Sequence, residues 1–317
     1  MLKDLIYLVS FYLTDKARLI LKLYSHNIYF EFINNFKVCC INNEIISIKI
    51  LSLTNNKLNW DRGLRYACEG GHRDLVDLII SLGADYCGWH EGLWGACQGG
   101  HRDIVDLMIS LGANRWNWGL LAACEGGYRD IVSLMIEHGA NNWNGGLVSA
   151  CEGGHRDIVD FMIENGANDW NRGLKYACKG GHRNIVNLMI EKGADDWNRG
   201  LSYACKGGHR DLVDFMIVNG ATYWDWGLYY SCKGGHRDLV DFMIEKGAND
   251  WNWGLMSACE GNHRDLVDFM IEKGANDWNW GLRYACVSGQ WDLVKLMIDR
   301  GATYCTHCFR KMDDHLI

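Results

Sequence analysis

From Trp60 to Tyr304 the chain states nearly the same pattern nine times, and that period limits what it can fold into. One copy, Trp197 to Ile217, reads Trp-Asn-Arg-Gly-Leu-Ser-Tyr-Ala-Cys-Lys-Gly-Gly-His-Arg-Asp-Leu-Val-Asp-Phe-Met-Ile, and Gly220-Ala221 follow it. A cysteine column marks the step: Cys68, Cys97, Cys124, Cys151, Cys178, Cys205, Cys232, Cys259 and Cys286 lie 27 residues apart, except for 29 between the first two. A fixed period in this range marks a stacked array in which each unit buries its apolar face only against its neighbours. Such arrays mostly present surfaces to partners.

Each copy predicts two short helices. Helix A is expected to begin after Asp61, Asn117, Asn144, Asn171, Asn198, Asp225, Asn252 or Asn279, with His90 the exception. Those side chains can accept from the orphan amides of a first turn. Leu174, Ala177 and Cys178 then form an i, i+3, i+4 stripe, small enough for close helix approach. Gly180-Gly181 turns the chain into helix B, whose apolar set is Ile185, Val186, Leu188, Met189 and Ile190. Gly193 ends helix B where glycine relieves left-handed strain.

The run Gly-His-x-Asp-Leu-Val-x-x-Met-Ile-x-x-Gly-Ala-Asn/Asp resembles the second half of the ankyrin repeat, and Leu-x-x-Ala-Cys before it resembles that family's Leu-His-x-Ala-Ala. Two departures stand out. The copies are shorter than the usual ankyrin repeat, by residues that fall where the family builds its β-hairpin finger. The family's Thr-Pro is replaced by Trp-Asn-x-Gly. The resemblance implies an all-α, ankyrin-like solenoid of helix-turn-helix repeats with reduced or absent β-hairpin fingers. Near-identical copies behind an Asn/Ile/Lys-rich start resemble the ankyrin proteins of large amoeba-infecting DNA viruses.

The expected organisation is an N-terminal helical cap with a decayed repeat over 1–57, nine repeats over 58–304 and a tail over 305–317. Residues 1–30 resemble the apolar spacing of an F-box helix pair, without its Leu-Pro opening. A substrate adaptor for a ubiquitin ligase, docking through that segment, is therefore the alternative to a simple binding scaffold.

Net charge is −7, so a general nucleic-acid binder, which needs a basic surface, is not expected. The apolar stretch Leu5 to Leu13 is too short to span a membrane. With no convincing export signal, the 14 cysteines are expected to be free thiols, and the protein a cytoplasmic monomer, in the host cytoplasm if viral.

No enzyme is expected. His-Arg-Asp recurs, as in His155-Arg156-Asp157, and resembles a kinase catalytic loop, but the phosphate loop, lysine and Asp-Phe-Gly that would complete one are missing. The Asp is expected to cap helix B and the Arg to reach a neighbouring repeat. Thiols one repeat apart are too distant to share zinc, and Cys305, Cys308 and a distant His315 supply three ligands of four. No metal or cofactor is expected. The tryptophan column, Trp60 to Trp278, is expected to pack on the next repeat's first helical turn.

What varies within the fixed frame points to function. On helix A the variable positions fall at i, i+3, i+4 and i+7, one exposed stripe opposite the core. In the third and fourth copies it reads Trp118, Leu121, Glu125, Gly145, Val148 and Glu152. In the fifth to seventh it reads Arg172, Lys175, Tyr176, Lys179; Arg199, Tyr203, Lys206; and Trp226, Tyr229, Tyr230, Lys233. Tyr, Trp and Arg carry interface energy. These eleven residues are the expected partner-binding face, for a protein with an acidic segment.

Overall fold

The computed structural model describes residues 59–303, with Cys40, Ile41, Asn43 and Ile45. The expected F-box-like segment, the tail and, but for those four residues, the N-terminal cap lie outside the described residues. Among the described residues there are eighteen helices and no strand, an all-α array of helix-turn-helix repeats without β-hairpin fingers. It divides after Asn141 into two compact units.

The first unit holds α1 (Trp60–Glu69), α2 (Arg73–Ser81), α3 (Tyr86–Gly99), α4 (Arg102–Ser110), α5 (Trp116–Gly126) and α6 (Arg129–Glu137). Helix α3 packs on both α1 and α5. The two extra residues of the 29-residue step extend α3 by part of a turn at its start, so Trp89 lies inside the helix.

The second unit holds α7 (Trp143–Gly153), α8 (Arg156–Glu164), α9 (Trp170–Gly180), α10 (Arg183–Glu191), α11 (Trp197–Gly207), α12 (Arg210–Val218), α13 (Trp224–Gly234), α14 (Arg237–Glu245), α15 (Trp251–Gly261), α16 (Arg264–Glu272), α17 (Trp278–Val287) and α18 (Trp291–Asp299). Odd-numbered helices are helix A, even-numbered helix B. Helices α7, α9, α11, α13, α15 and α17 pack in sequence, and each also packs on the helix B that follows it.

The core columns are those the period predicts. Leu174, Ala177, Cys178, Ile185, Val186 and Met189 are fully buried, and Ile190 is half-buried. Gly193, at φ 106°, ends helix B in the left-handed region that a side chain would strain.

The helix-A caps are displaced from expectation. Tryptophan is the first helical residue, so the cap is the residue before it: Asn59, Asn142, Asp169, Asp196, Asp250 and Asp277 each accept from the amide three residues on. The Asn/Asp after the tryptophan instead reaches into the following repeat. Asn171 Oδ1 accepts the N–H of Asp195 at 2.8 Å and of Asp196 at 3.0 Å. Asn144, Asn198, Asp225 and Asn252 repeat this double bond. His90 fills the same position with its ring, Nδ1 accepting from the Asn114 N–H at 3.4 Å. Burial and then Arg115 push the His90 pKa below 6.5, which keeps that lone pair available.

The histidine and arginine of His-Arg-Asp, and of its variant His182-Arg183-Asn184, join neighbouring repeats. His182 Nε2–H donates to the Glu152 carbonyl at 3.0 Å, satisfying a carbonyl at the end of the preceding helix A. His209 and His236 do the same to Lys179 and Lys206. In the last copy Gln290 replaces the histidine, and Ser288 Oγ donates to Glu260 O instead. The arginine reaches the next repeat as expected in three copies: Arg183, Arg210 and Arg237 lie 3.4–3.6 Å from the ring centroids of Phe215, Phe242 and Phe269. The Asp does not cap helix B. His155, His209 and their equivalents hold the cap position, and Asp157 or Asp211 sits in the first turn, facing the helix's positive end.

Three of the column tryptophans contact their own repeat, where the next repeat was expected. Trp116 stacks on His138 at 4.5 Å, Trp89 lies against Gly112, and Arg300 sits over Trp278. Each of these contacts is with the end of helix B in the same repeat. The column thiols from Cys68 to Cys259 are free, but Cys286 is disulfide-bonded, so the expectation of fourteen free thiols fails there.

Candidate functional site

The predicted stripe lies on helices α9, α11 and α13, in the second unit. Only its first column is exposed, at Arg172, Arg199 and Trp226. Lys175, Tyr176, Lys179, Tyr203, Lys206, Tyr229, Tyr230 and Lys233 are half-buried, because they lie on one another across repeats. Ser202 completes the second column as a buried residue, its Oγ donating to Asn198 O at 2.8 Å. Val148 and Gly145, expected on the exposed stripe of the fourth copy, are buried.

Tyr203 is the centre. Its ring lies 5.7 Å from Tyr176 and 5.1 Å from Tyr230, within the range of favourable aromatic pairs. Lys175 Nζ lies 4.2 Å from the Tyr203 centroid and Lys206 Nζ 5.8 Å. Tyr229 turns away, its hydroxyl donating to Glu260 Oε2 at 3.1 Å and its ring edge-on to Trp253. Burial, reinforced by Glu260, raises its pKa.

Pairing removes much of the cationic character that the residue types suggest. Arg172 pairs with Asp169 and Arg199 with Asp196, each at 3.4 Å. Lys179 pairs with Glu152, and Lys233 with Glu260 at 2.5 Å. Lys175 and Lys206 have no carboxylate within ion-pair distance among the described residues. Lys206 stands between two lysines. Burial, then Lys179 and Lys233, lower its pKa below the ordinary lysine value, outweighing the pull of Glu152 and Glu260.

Beside this row lies an aromatic groove that the residue-type reading missed. Trp226, Trp253 and Trp280 occupy one column in successive copies and are 43–45% exposed. With Tyr229, Asp250 and Asp277 they line an open cavity of ≈ 550 Å³. The signal was present in the sequence: the column of Trp226 continues as tryptophan for two more repeats.

Among the described residues, no cluster of three or more His, Cys, Asp or Glu could hold a metal ion, and no helix is long and apolar enough to cross a membrane.

The ankyrin-repeat family model, in blocks of three copies, matches residues 93–173, 120–200, 147–226 and 201–280, together more than half of the chain. No curated protein matches. Among 118 matching chains of solved structures is the human ASB11 ankyrin repeat domain, 23% identical, covering 59% of this chain and 99% of that one, with a TM-score of 0.35. Ankyrin repeats generally mediate protein–protein interaction. On the repeated match of the family model, the chain belongs to the ankyrin-repeat family.

Proposed function

We propose that the protein is an interaction scaffold that binds an acidic segment of a protein partner on its helix-A face, over the Tyr176–Tyr203–Tyr230 row. The observation that supports this reading is the pair Lys175 and Lys206, set against Tyr203 without carboxylate partners. A carboxylate placed at Lys206 relieves the repulsion from Lys179 and Lys233, and the tyrosines supply rigid contact area around it. The charge steers association and weakens with salt. In this reading the protein works as a monomer in the cytoplasm. Near-identical copies behind an Asn/Ile/Lys-rich start are our grounds for placing it among the ankyrin proteins of large amoeba-infecting DNA viruses, with the host cytoplasm as its setting. The ubiquitin-ligase alternative falls on residues 1–30, outside the described residues.

Fluorescence anisotropy with a labelled Glu-Gly repeat peptide tests the proposal. Binding should weaken at least about tenfold between about 50 mM and about 300 mM salt, and be lost in Lys206→Glu. Equal binding by the wild type and that variant would reject the site.

A further inference from the structure

The aromatic groove suggests a second recognition chemistry, opposite in sign to the lysine–tyrosine row. It is lined by indole and phenol rings and the carboxylates of Asp250 and Asp277, with no cationic side chain in its lining. Its ≈ 550 Å³ lies within the roughly 300–1,000 Å³ of small-ligand clefts.

The repeat frame itself indicates what such a surface holds. In the fifth and sixth copies the cap aspartate faces a guanidinium three residues on: Asp169 Oδ2 with Arg172 Nη1, and Asp196 Oδ2 with Arg199 Nε, both at 3.4 Å. In the third copy the same column is Trp118, and the cap position is Arg115, whose guanidinium lies 4.4 Å from the Trp118 ring centroid. So an arginine fits against either half of the pair, carboxylate or indole. The eighth and ninth copies have both halves together, Asp250 with Trp253 and Asp277 with Trp280. Each aspartate spends Oδ1 on its cap bond, at 3.0 Å and 3.4 Å, and a carboxylate has acceptor capacity beyond one bond. Among the described residues neither aspartate has an ion-pair partner, and Trp253 has no cation over its ring. Trp280 already has Arg283 at 5.2 Å from its ring centroid.

We propose that this groove binds arginine side chains of the protein partner, each guanidinium paired with a cap carboxylate and stacked on the adjacent indole. A planar guanidinium suits this better than an ammonium, since it can hydrogen-bond in its plane and stack on its face. Adjacent repeats place the two subsites about 10 Å apart, and a polyproline II chain, with three residues per turn and a rise of about 3.1 Å, sets residues i and i+3 on one side about 9 Å apart. The matching spacing is therefore Arg-x-x-Arg. The inference rests on the reading of the helix-A face as a protein-binding surface, and extends the partner from an acidic segment to one that also presents arginines.

The test is anisotropy of the full chain with labelled Gly-Arg-Gly-Gly-Arg-Gly and with its citrulline twin, which keeps the shape and loses the charge. The variant is Asp250→Asn/Asp277→Asn. Asparagine caps the same position at Asn59 and Asn142, so the helices keep their starts. The arginine peptide should bind at least about tenfold tighter than the citrulline peptide, and at least about tenfold tighter to wild type than to the variant. Equal binding of the two peptides, equal binding to the variant, or no measurable binding overturns the proposal. Acidic-peptide binding to the same variant reports the lysine–tyrosine row separately, so failure of one site is distinguishable from failure of the other.

Discussion

Asn171 accepts the backbone N–H groups of both Asp195 and Asp196, 24 and 25 residues further on. One side chain thereby ties helix α9 to the turn that opens the next repeat. The equivalent bonds recur along the column, so the stack is joined by side chain-to-backbone bonds as well as by apolar contact. Asn171→Ala should cost about 1–2 kcal/mol, since it strands one part-buried and one exposed donor. Asn198→Asp should be nearly neutral, because Asp225 makes both bonds in its own copy and the groups bonded to Asn198, on Thr222 and Tyr223, belong to uncharged residues. Urea unfolding of the two variants checks the difference. Equal stability of Asn171→Ala and wild type would contradict it.

Gly180 tests how closely the repeats approach. A Cβ there would run into the carbonyl oxygen of Glu152 and the ring of His182, and a backbone carbonyl cannot swing aside. Gly180→Ala should destabilise by about 1–3 kcal/mol and loosen the His182–Glu152 bond. Gly173→Ala meets the sulfur end of Met189 instead, a flexible neighbour, and should cost less. Thermal unfolding of both variants gives the order, and the reverse order would contradict it.

The helix pairs, their core columns and the glycine turn were legible in the sequence because a period of 27 aligns like with like. The cap was not. Asp169 and Asn171 flank Trp170, both types cap helices, and only the position of the first helical residue decides between them. The own-repeat contacts of Trp89, Trp116 and Trp278 were not legible for a related reason: the next repeat and the end of the residue's own helix B are both near in an array, and spacing alone does not choose. The stripe residues were picked out by type, but two of their ion pairs join positions 27 residues apart, Glu152 with Lys179 and Lys233 with Glu260. Writing the column in register as Glu152, Lys179, Lys206, Lys233, Glu260 exposes the pairing and singles out Lys206.

The buried thiols make the fold sensitive to alkali. Burial holds Cys97, Cys124, Cys151, Cys178, Cys205, Cys232 and Cys259 at a pKa of about 12, against 9.0 when unburied. Between those values the unfolded chain has lost thiol protons that the folded chain retains. Stability is therefore fully present below pH 9 and falls as pH rises toward about 12. Melting temperature followed from pH 7 to about pH 11 should drop above pH 9, and drop less in Cys178→Ala/Cys205→Ala. A flat profile would contradict the account.

Lys206 sets stability against binding. Lys206→Glu places an acid between Lys179 and Lys233, so the column alternates in sign from Glu152 to Glu260. The variant should gain about 0.5 kcal/mol, a modest figure because the position is partly exposed and screened. It should bind acidic peptide no longer. A variant that is less stable than wild type would show that the repulsion on Lys206 is not the governing interaction.

The most direct measurement is quantitative affinity capture with wild type and with Lys175→Ser/Lys206→Glu, read by mass spectrometry. Both replacements are residues the chain already uses at those columns, at Ser202 and Glu152, so the fold should survive, as circular dichroism can verify. The account predicts that the folded variant loses the principal partner of the wild type and that this partner has an acidic segment. Capture of the same proteins at the same strength would contradict it and remove the Tyr203 row as the binding face.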